Sequence, residues 1–275
     1  MTTSLAEYRQ ARELWANLTL RELRSKYKRS LLGWAWSLFN PLSTMLIYTL
    51  VFRFFLRVEV PPGDPSGLHV FALYLLCGLL PWNFLSNATN GSIGTLVGNA
   101  NLIKKTYFPR ELLIASQVAS WNVSLLIEVG ILAAALLVFG NMVLPWVLPA
   151  LVLLAVLTVF VTGLGLAFSA LNVYFRDVQH FVGILFQAWF FLTPIVYPIR
   201  FVPDRADLFG IDVAVRALYD LNPMVGFVEA FRDLLYDLRF PPAADLAYIT
   251  IVSVATFLAG LVLFNKLEPR LAEEL

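Results

Sequence analysis

RELRSKYKRSLLGWAWSLFNPLSTMLIYTLVF, residues Arg21 to Phe52, decides the fold. Five of its first nine residues are basic: Arg21, Arg24, Lys26, Lys28 and Arg29. Trp34 and Trp36 follow, and the sequence then stays apolar for about the length needed to cross a bilayer. Lys and Arg are retained on the cytoplasmic side of a membrane helix, and Trp settles at the headgroup level. The stretch therefore predicts a first span over 34–56, with the amino terminus inside. Composition agrees. Of 275 residues, 59% are hydrophobic and 14% charged, whereas charged residues make up about 25% of a soluble globular domain. A soluble chain is excluded. The single cysteine, Cys77, lies in an apolar run and reads as a small buried hydrophobe without a disulfide partner.

Upstream, residues 1–33 carry seven basic residues and no apolar core, so they do not form a cleaved signal peptide. Leu5, Tyr8, Leu14, Trp15, Leu18 and Leu23 recur at three and four spacing, which predicts an amphipathic helix along the inner interface. Downstream, further spans are expected over about 70–97, 112–139, 146–171, 181–197 and 246–264. The second is divided by Pro81. Its first part is uniformly apolar, while Ser86–Thr95, SNATNGSIGT, must face other helices, a water-filled path or a cytoplasmic partner rather than lipid. The third places Ser116, Ser120, Ser124 and Glu128 on one stripe. Small hydroxyl residues at that period suit close helix packing. Glu128 is an ionisable group inside the membrane with no partner evident from sequence. In the fourth span, Gly163 and Ala167 suggest another close contact.

The fifth span puts Phe186, Trp189, Phe190, Thr193 and Tyr197 on one face, with Pro194 expected to kink the helix beside it. Residues 198–245 then form an acidic outer segment. Asn222-Pro223 starts a helix whose Val225, Val228, Phe231, Leu235 and Leu238 share one side. That helix is too short and too charged to span, so it is expected to dip into or rest on the outer interface. Thirteen of the twenty basic residues fall on the inner side of this arrangement. The expectation is an all-α polytopic membrane protein. It has the interface helix 1–33, a single six-helix domain 34–275, an outer gate segment between the fifth and sixth spans, and both termini in the cytoplasm.

No site for covalent or metal chemistry is visible. There is no G-x-x-x-x-G-K-[ST] loop for ATP, no H-E-x-x-H, no cysteine pair, and His69 and His180 fall on opposite sides. A chain without its own chemistry, with basic inner loops and with aromatic and polar helix faces, reads as a conduit driven by a separate partner.

Several motifs carry a resemblance over nearly the whole chain. They are Tyr27-Lys28-Arg29-Ser30-x-Leu32-Gly33-x-x-Trp36-Ser37-x-x-Asn40-Pro41, Leu80-Pro81-Trp82-Asn83, Ile103-Lys104-Lys105-x-x-Phe108-Pro109-Arg110-Glu111, Arg176-Asp177-Val178, Thr193-Pro194-Ile195-x-Tyr197 and Asn222-Pro223-Met224. In this order and spacing the chain resembles the permease subunit of type-2 ABC exporters. The nearest branch is the one that exports lipid-linked polysaccharide of O-antigen, galactan or teichoic acid type.

The resemblance implies a homodimer in the bacterial inner or plasma membrane, paired with two copies of an ABC ATPase subunit that carries ATP and Mg. This chain would bind no cofactor itself. Its partners would be the ATPase, the membrane and a lipid-linked glycan, not nucleic acid. By the same resemblance the amino-terminal helix and Lys104, Lys105, Tyr107, Phe108, Arg110 and Glu111 would couple to the ATPase, with Arg176 and Asp177 nearby. The first and fifth spans would line the path between protomers through Trp36, Tyr48, Phe52, Phe186, Trp189, Phe190 and Tyr197. Residues 203–240 would form the outer gate helices. Aromatic rings suit the C–H faces of sugars, although packing in a dimer or against lipid uses the same residues. Arg24, Lys26, Lys28 and Arg29 would attract a polyprenyl pyrophosphate head, and ordinary anchoring at the inner surface accounts for them equally. Three alternatives stay open here. They are the same fold moving drugs or free lipids, a polytopic lipid-processing enzyme using Asp64 or His69, and a passive channel.

Overall fold

The computed structural model describes residues 5–26, 35–106, 108–208 and 211–275. Lys28, Arg29, Trp34 and Tyr107 therefore lie outside the described residues, as do the side chains of Leu5 and Tyr8. Among the described residues the chain is almost wholly helical. The helices are α1 (Leu5–Lys26), α2 (Ala35–Tyr48), α3 (Phe71–Ile93), α4 (Thr95–Gly98), α5 (Ala100–Lys105) and α6 (Glu111–Val138). They continue with α7 (Leu144–Tyr174), α8 (Val178–Phe191), α9 (Val215–Asp220), α10 (Pro223–Arg232), α11 (Ala243–Leu267) and α12 (Leu271–Glu274). A two-stranded antiparallel ribbon, β1 (Ala206–Leu208) and β2 (Ile211–Val213), precedes α9.

Among the described residues, four helical stretches are long and apolar enough to cross a membrane: α3, α6, α7 and Ala243–Glu274. Two shorter apolar stretches, Leu42–Phe55 and Val178–Phe191, stand where the first and fifth spans are expected. With its π-helical continuation Thr49–Phe55, α2 reaches about 30 Å, enough for the hydrocarbon core. By contrast α8, at 14 residues, is about 21 Å long. Its carboxyl end is a stop, where the sequence predicts a kinked span running on to Tyr197. The helix closes at Phe191 and residues 192–194 turn. The reason is local: Pro194 has no N–H to donate back into the helix, and it disfavours helical backbone at Thr193.

The centre of the molecule is α3, which packs against α2, α6, α7, α8 and α10. It runs unbroken through Pro81, so the division expected there is one of polarity and not of backbone. Cys77 is fully buried on it, and Ser92 and Thr89 are buried in its polar half. The serine stripe of α6 behaves as a packing surface, with Ser116, Ser120 and Ser124 all buried. The longest helix contact joins α7 to α11 at Gly163 and Gly260. A Cβ on Gly163 would lie 2.6 Å from the Phe257 backbone, and one on Gly260 would overlap the Gly163 carbonyl. Small residues at that crossing let the two backbones touch.

The amphipathic helix α1 packs on α6 and buries Leu18 and Leu23. Arg21 reaches Asn99 at 2.9 Å, which ties α1 to the end of the molecule where α5 and α6 meet. The turns after α5 and α7 and the carboxyl tail gather at the same end. Arg110 Nη1 donates to the Glu268 carbonyl at 2.6 Å, Tyr174 Oη donates to the Leu267 carbonyl at 2.9 Å, and α12 packs on α5 and α7. This is the basic end of the bundle, with Lys104, Lys105, Arg110, Arg176, Lys266 and Arg270.

Candidate translocation groove

At the opposite end, the segment between α8 and α11 folds into the bundle instead of lying on it. The Asn222 side chain caps α10, its Oδ1 accepting the Met224 N–H at 3.0 Å. Pro223 then occupies the first turn, where a missing N–H costs nothing. All of Val225, Val228, Phe231 and Leu235 are buried, as the periodicity requires, and so are Phe227, Ala230 and Arg232 on the other sides. The helix is thus packed on most of its sides, while Gly226 and Glu229 border a cavity. Leu238 ends the run in the left-handed conformation.

The residue that sequence reasoning passes over is Arg232, which is 2% exposed. Its Nη1 donates to the Pro194 carbonyl at 2.7 Å and to Glu229 Oε1 at 2.7 Å, and its Nη2 donates to the Ile195 carbonyl at 2.6 Å. The guanidinium lies 3.8 Å from the Tyr74 ring centroid, and Gly78 leaves it room. The broken end of α8 thus hands its free carbonyls to an arginine on α10. Asn222 closes the same junction from the other side, accepting from Trp189 Nε1 at 2.8 Å and donating to the Leu192 carbonyl and Thr193 Oγ1, both at 3.2 Å.

Next to this junction a cavity of about 470 Å³ opens between α2, α3 and α8. Tyr48, Phe186 and Phe190, three of the predicted path residues, line it, and Trp189 packs behind them. The ring that draws them together is Trp82 of α3, with centroids 6.2 Å from Phe186, 6.0 Å from Trp189 and 5.5 Å from Phe190. Tyr48 joins across α2 at 6.0 Å from Phe190. The polar half of α3 supplies the facing wall: Asn83, Ser86 and Asn90 line the cavity, with Gln187 of α8 opposite. Their presence in a path was not named from sequence. The signal was the run SNATNGSIGT, which demanded a non-lipid environment without saying which.

Other predicted path residues sit apart. Phe52 packs on Tyr48 at 6.0 Å, outside the cavity lining. Trp36 is exposed beside Phe39. Tyr197 lies past the α8 stop, donating to the Phe191 carbonyl at 2.8 Å and meeting the Tyr219 hydroxyl at 3.0 Å. At the basic end, Lys104, Lys105, Arg176 and Asp177 are exposed, and Phe108 packs against the core. Arg110 is occupied with the carboxyl tail. Glu111 opens α6.

The candidate pyrophosphate residues diverge. Arg24 is exposed, while Lys26 turns inward, its Nζ 3.3 Å from the Trp121 ring centroid. Burial pulls the Lys26 ammonium down to about 7, opposed by the charges of Glu128 and Glu22. Lys26 is thus close enough to feel the charge of Glu128, without a hydrogen bond to it among the described residues.

With these features in place, the comparisons with known proteins fit the molecule closely. Over 267 residues, 95% of this chain and 94% of the relative, the sequence is 29% identical to an O-antigen export system permease protein RfbA of Klebsiella pneumoniae. It is 30% identical to the protein of the same name from Myxococcus xanthus over 277 residues, covering 100% of each chain. It is 24% identical to a polysialic acid transport protein KpsM of Escherichia coli over 264 residues, 91% of this chain and 92% of that one. The ABC-2 type transporter family matches residues 13–236, from α1 through the buried outer segment, and the chain belongs to that family.

Proposed function

We propose that this chain is the transmembrane subunit of an ATP-driven exporter that moves a lipid-linked polysaccharide from the cytoplasm across the inner membrane. Two copies of the chain pair with two copies of a separate ABC ATPase. The observation that carries this reading is the groove. A path lined by edge-to-face aromatic rings together with amides and hydroxyls suits a sliding sugar chain, whose C–H faces pack on rings and whose hydroxyls need hydrogen-bond partners. The named cargoes of the relatives, O-antigen and polysialic acid, are polysaccharides.

Where the groove opens supports a homodimer. Asn83, Ser86, Asn90 and Gln187 would meet lipid if α2 and α8 faced the bilayer, and unsatisfied polar groups are costly there. A second copy laid against the exposed apolar residues of α2 and α8, such as Leu46, Phe54 and Ile184, closes the groove into a conduit. The α2–π and α8 stretches complete a six-span topology in this reading, with the basic end and both termini in the cytoplasm. ATP and Mg belong to the ATPase, which pushes on Lys104, Lys105 and the Arg176–Asp177 turn at that end. The protomers part along α2 and α8, while α10 gates the outer mouth. Arg24, with Lys28 and Arg29, receives the pyrophosphate of the lipid carrier at the inner surface.

The test is co-purification with the ATPase, followed by reversal of charge at Lys104 and Lys105 to Glu. Two-plus-two assembly, with ATPase activity lost or uncoupled from export on reversal, is the expected result. A chain that purifies alone and works without nucleotide overturns the reading.

A further inference from the structure

The groove between α2, α3 and α8 carries no Lys, Arg, Asp or Glu among the described residues that line it. Its hydrogen-bonding groups are all neutral. Asn83, Ser86 and Asn90 follow one another three and four residues apart on α3, so they stand about 4.5 and 6 Å apart along the helix axis. Asn90 Nδ2 donates to the Ser86 carbonyl at 2.8 Å and approaches Ser86 Oγ at 3.4 Å, while its oxygen accepts no hydrogen bond among the described residues. Asn83 and Gln187, on opposite walls, make no hydrogen bond among the described residues, and both line the cavity. Free amide groups facing each other across a groove are an arrangement for a ligand that both donates and accepts, as a sugar hydroxyl does.

Charge is treated differently. An anion taken into a membrane interior without a counter-charge loses hydration that nothing replaces. Membrane pores for anions and phosphates answer this with Arg or Lys at the constriction, and the bundle does hold arginines. Its arginines lie outside the lining of the groove: Arg232 is consumed by the Pro194 and Ile195 carbonyls, Arg110 by the Glu268 carbonyl, and Arg53, on the π-helical stretch after α2, stands 3.9 Å from Glu59.

We infer that the repeat units passing through this groove are neutral sugars, and that the uncharged wall of Asn83, Ser86, Asn90 and Gln187 selects against repeats bearing a carboxylate or phosphate. The inference rests on the export reading above and narrows its substrate class. It separates an uncharged glycan from the phosphate-bearing teichoic acids and from acidic capsule-type chains.

Inverted membrane vesicles holding the permease with its ATPase test it. Two glycans of matched length are supplied on the same polyprenyl pyrophosphate carrier, one built of neutral hexoses and one with a carboxylate in every repeat. ATP-dependent uptake of the neutral glycan should exceed that of the acidic one by about tenfold or more, tenfold corresponding to about 1.4 kcal/mol. Gln187→Lys, at an exposed position that tolerates the change, should narrow that ratio by supplying a counter-charge. Equal uptake of both glycans by the native exporter, or an unchanged ratio in the variant, overturns the inference and leaves polysaccharide export standing. Uptake of neither glycan by an assembled complex with active ATPase overturns the export reading itself.

Discussion

The two halves of the bundle are built to different standards. Around α3, α7, α10 and α11, backbones touch at Gly163 and Gly260, and a fully buried arginine has carbonyls and a carboxylate for all but one of its nitrogens. Around α2 and α8, only Val182 and Phe186 of α8 are buried, and a 470 Å³ groove opens between the two helices where they meet α3. The first half is finished within one chain. The second is left open along α2 and α8, on the face where the proposed path runs.

The largest test of that contrast is Arg232. Replacing it by Leu leaves the Pro194 and Ile195 carbonyls and Glu229 without their partner inside the bundle, a loss on the scale of about 3–5 kcal/mol for breaking a buried charge cluster. Purified Arg232→Leu should show a large drop in Tm or fail to fold. Arg232→Lys, with one ammonium in place of a planar fork, should fall between it and the native protein. A Leu variant as stable as the native chain would mean that the outer segment is not held by this residue.

Gly260→Ala probes the same half with a smaller perturbation. The added methyl overlaps the Gly163 carbonyl, and neither partner is a flexible side-chain end, so α7 and α11 must separate. Overpacking of this kind costs about 1–3 kcal/mol, read as a lowered Tm in detergent. Tolerance of alanine without a shift would show that the α7–α11 contact is looser than the frame requires.

How much of this was legible follows the same division. Long uniform apolar runs place α6, α7 and α11 within a few residues of their expected spans, because hydrophobicity and length alone decide them. The aromatic face of α8 was legible from helical period, and the polar half of α3 from its refusal of lipid. That the two face each other was not, since Trp82 and Phe186 lie on different helices and no periodicity links them. Arg232 was the least legible. In sequence it is one more charge in an acidic outer segment, and the carbonyls it binds lie 37 and 38 residues upstream. The α8 stop is no easier to read, since a proline kinks or ends a helix according to how the backbone groups around the break are satisfied.

The smallest effect on folding should come from the open half, and it should be the most damaging to transport. Phe191 is 59% exposed, lines the groove, and lies 5.1 Å from Phe190. Truncation to Ala removes a ring whose outer face has no packing partner within the described residues, so stability should change by no more than about 0.5 kcal/mol, as for an ordinary surface position. Export should nevertheless fall, by roughly two- to tenfold if one stacking contact of about 0.5–1.5 kcal/mol is lost along the path. Measured together, Tm and vesicle uptake separate the two roles. A Tm loss equal to that of Gly260→Ala would make α8 part of the frame. An unchanged Tm with unchanged export would move the sugar path off this face, whereas an unchanged Tm with weakened export assigns the ring to the cargo.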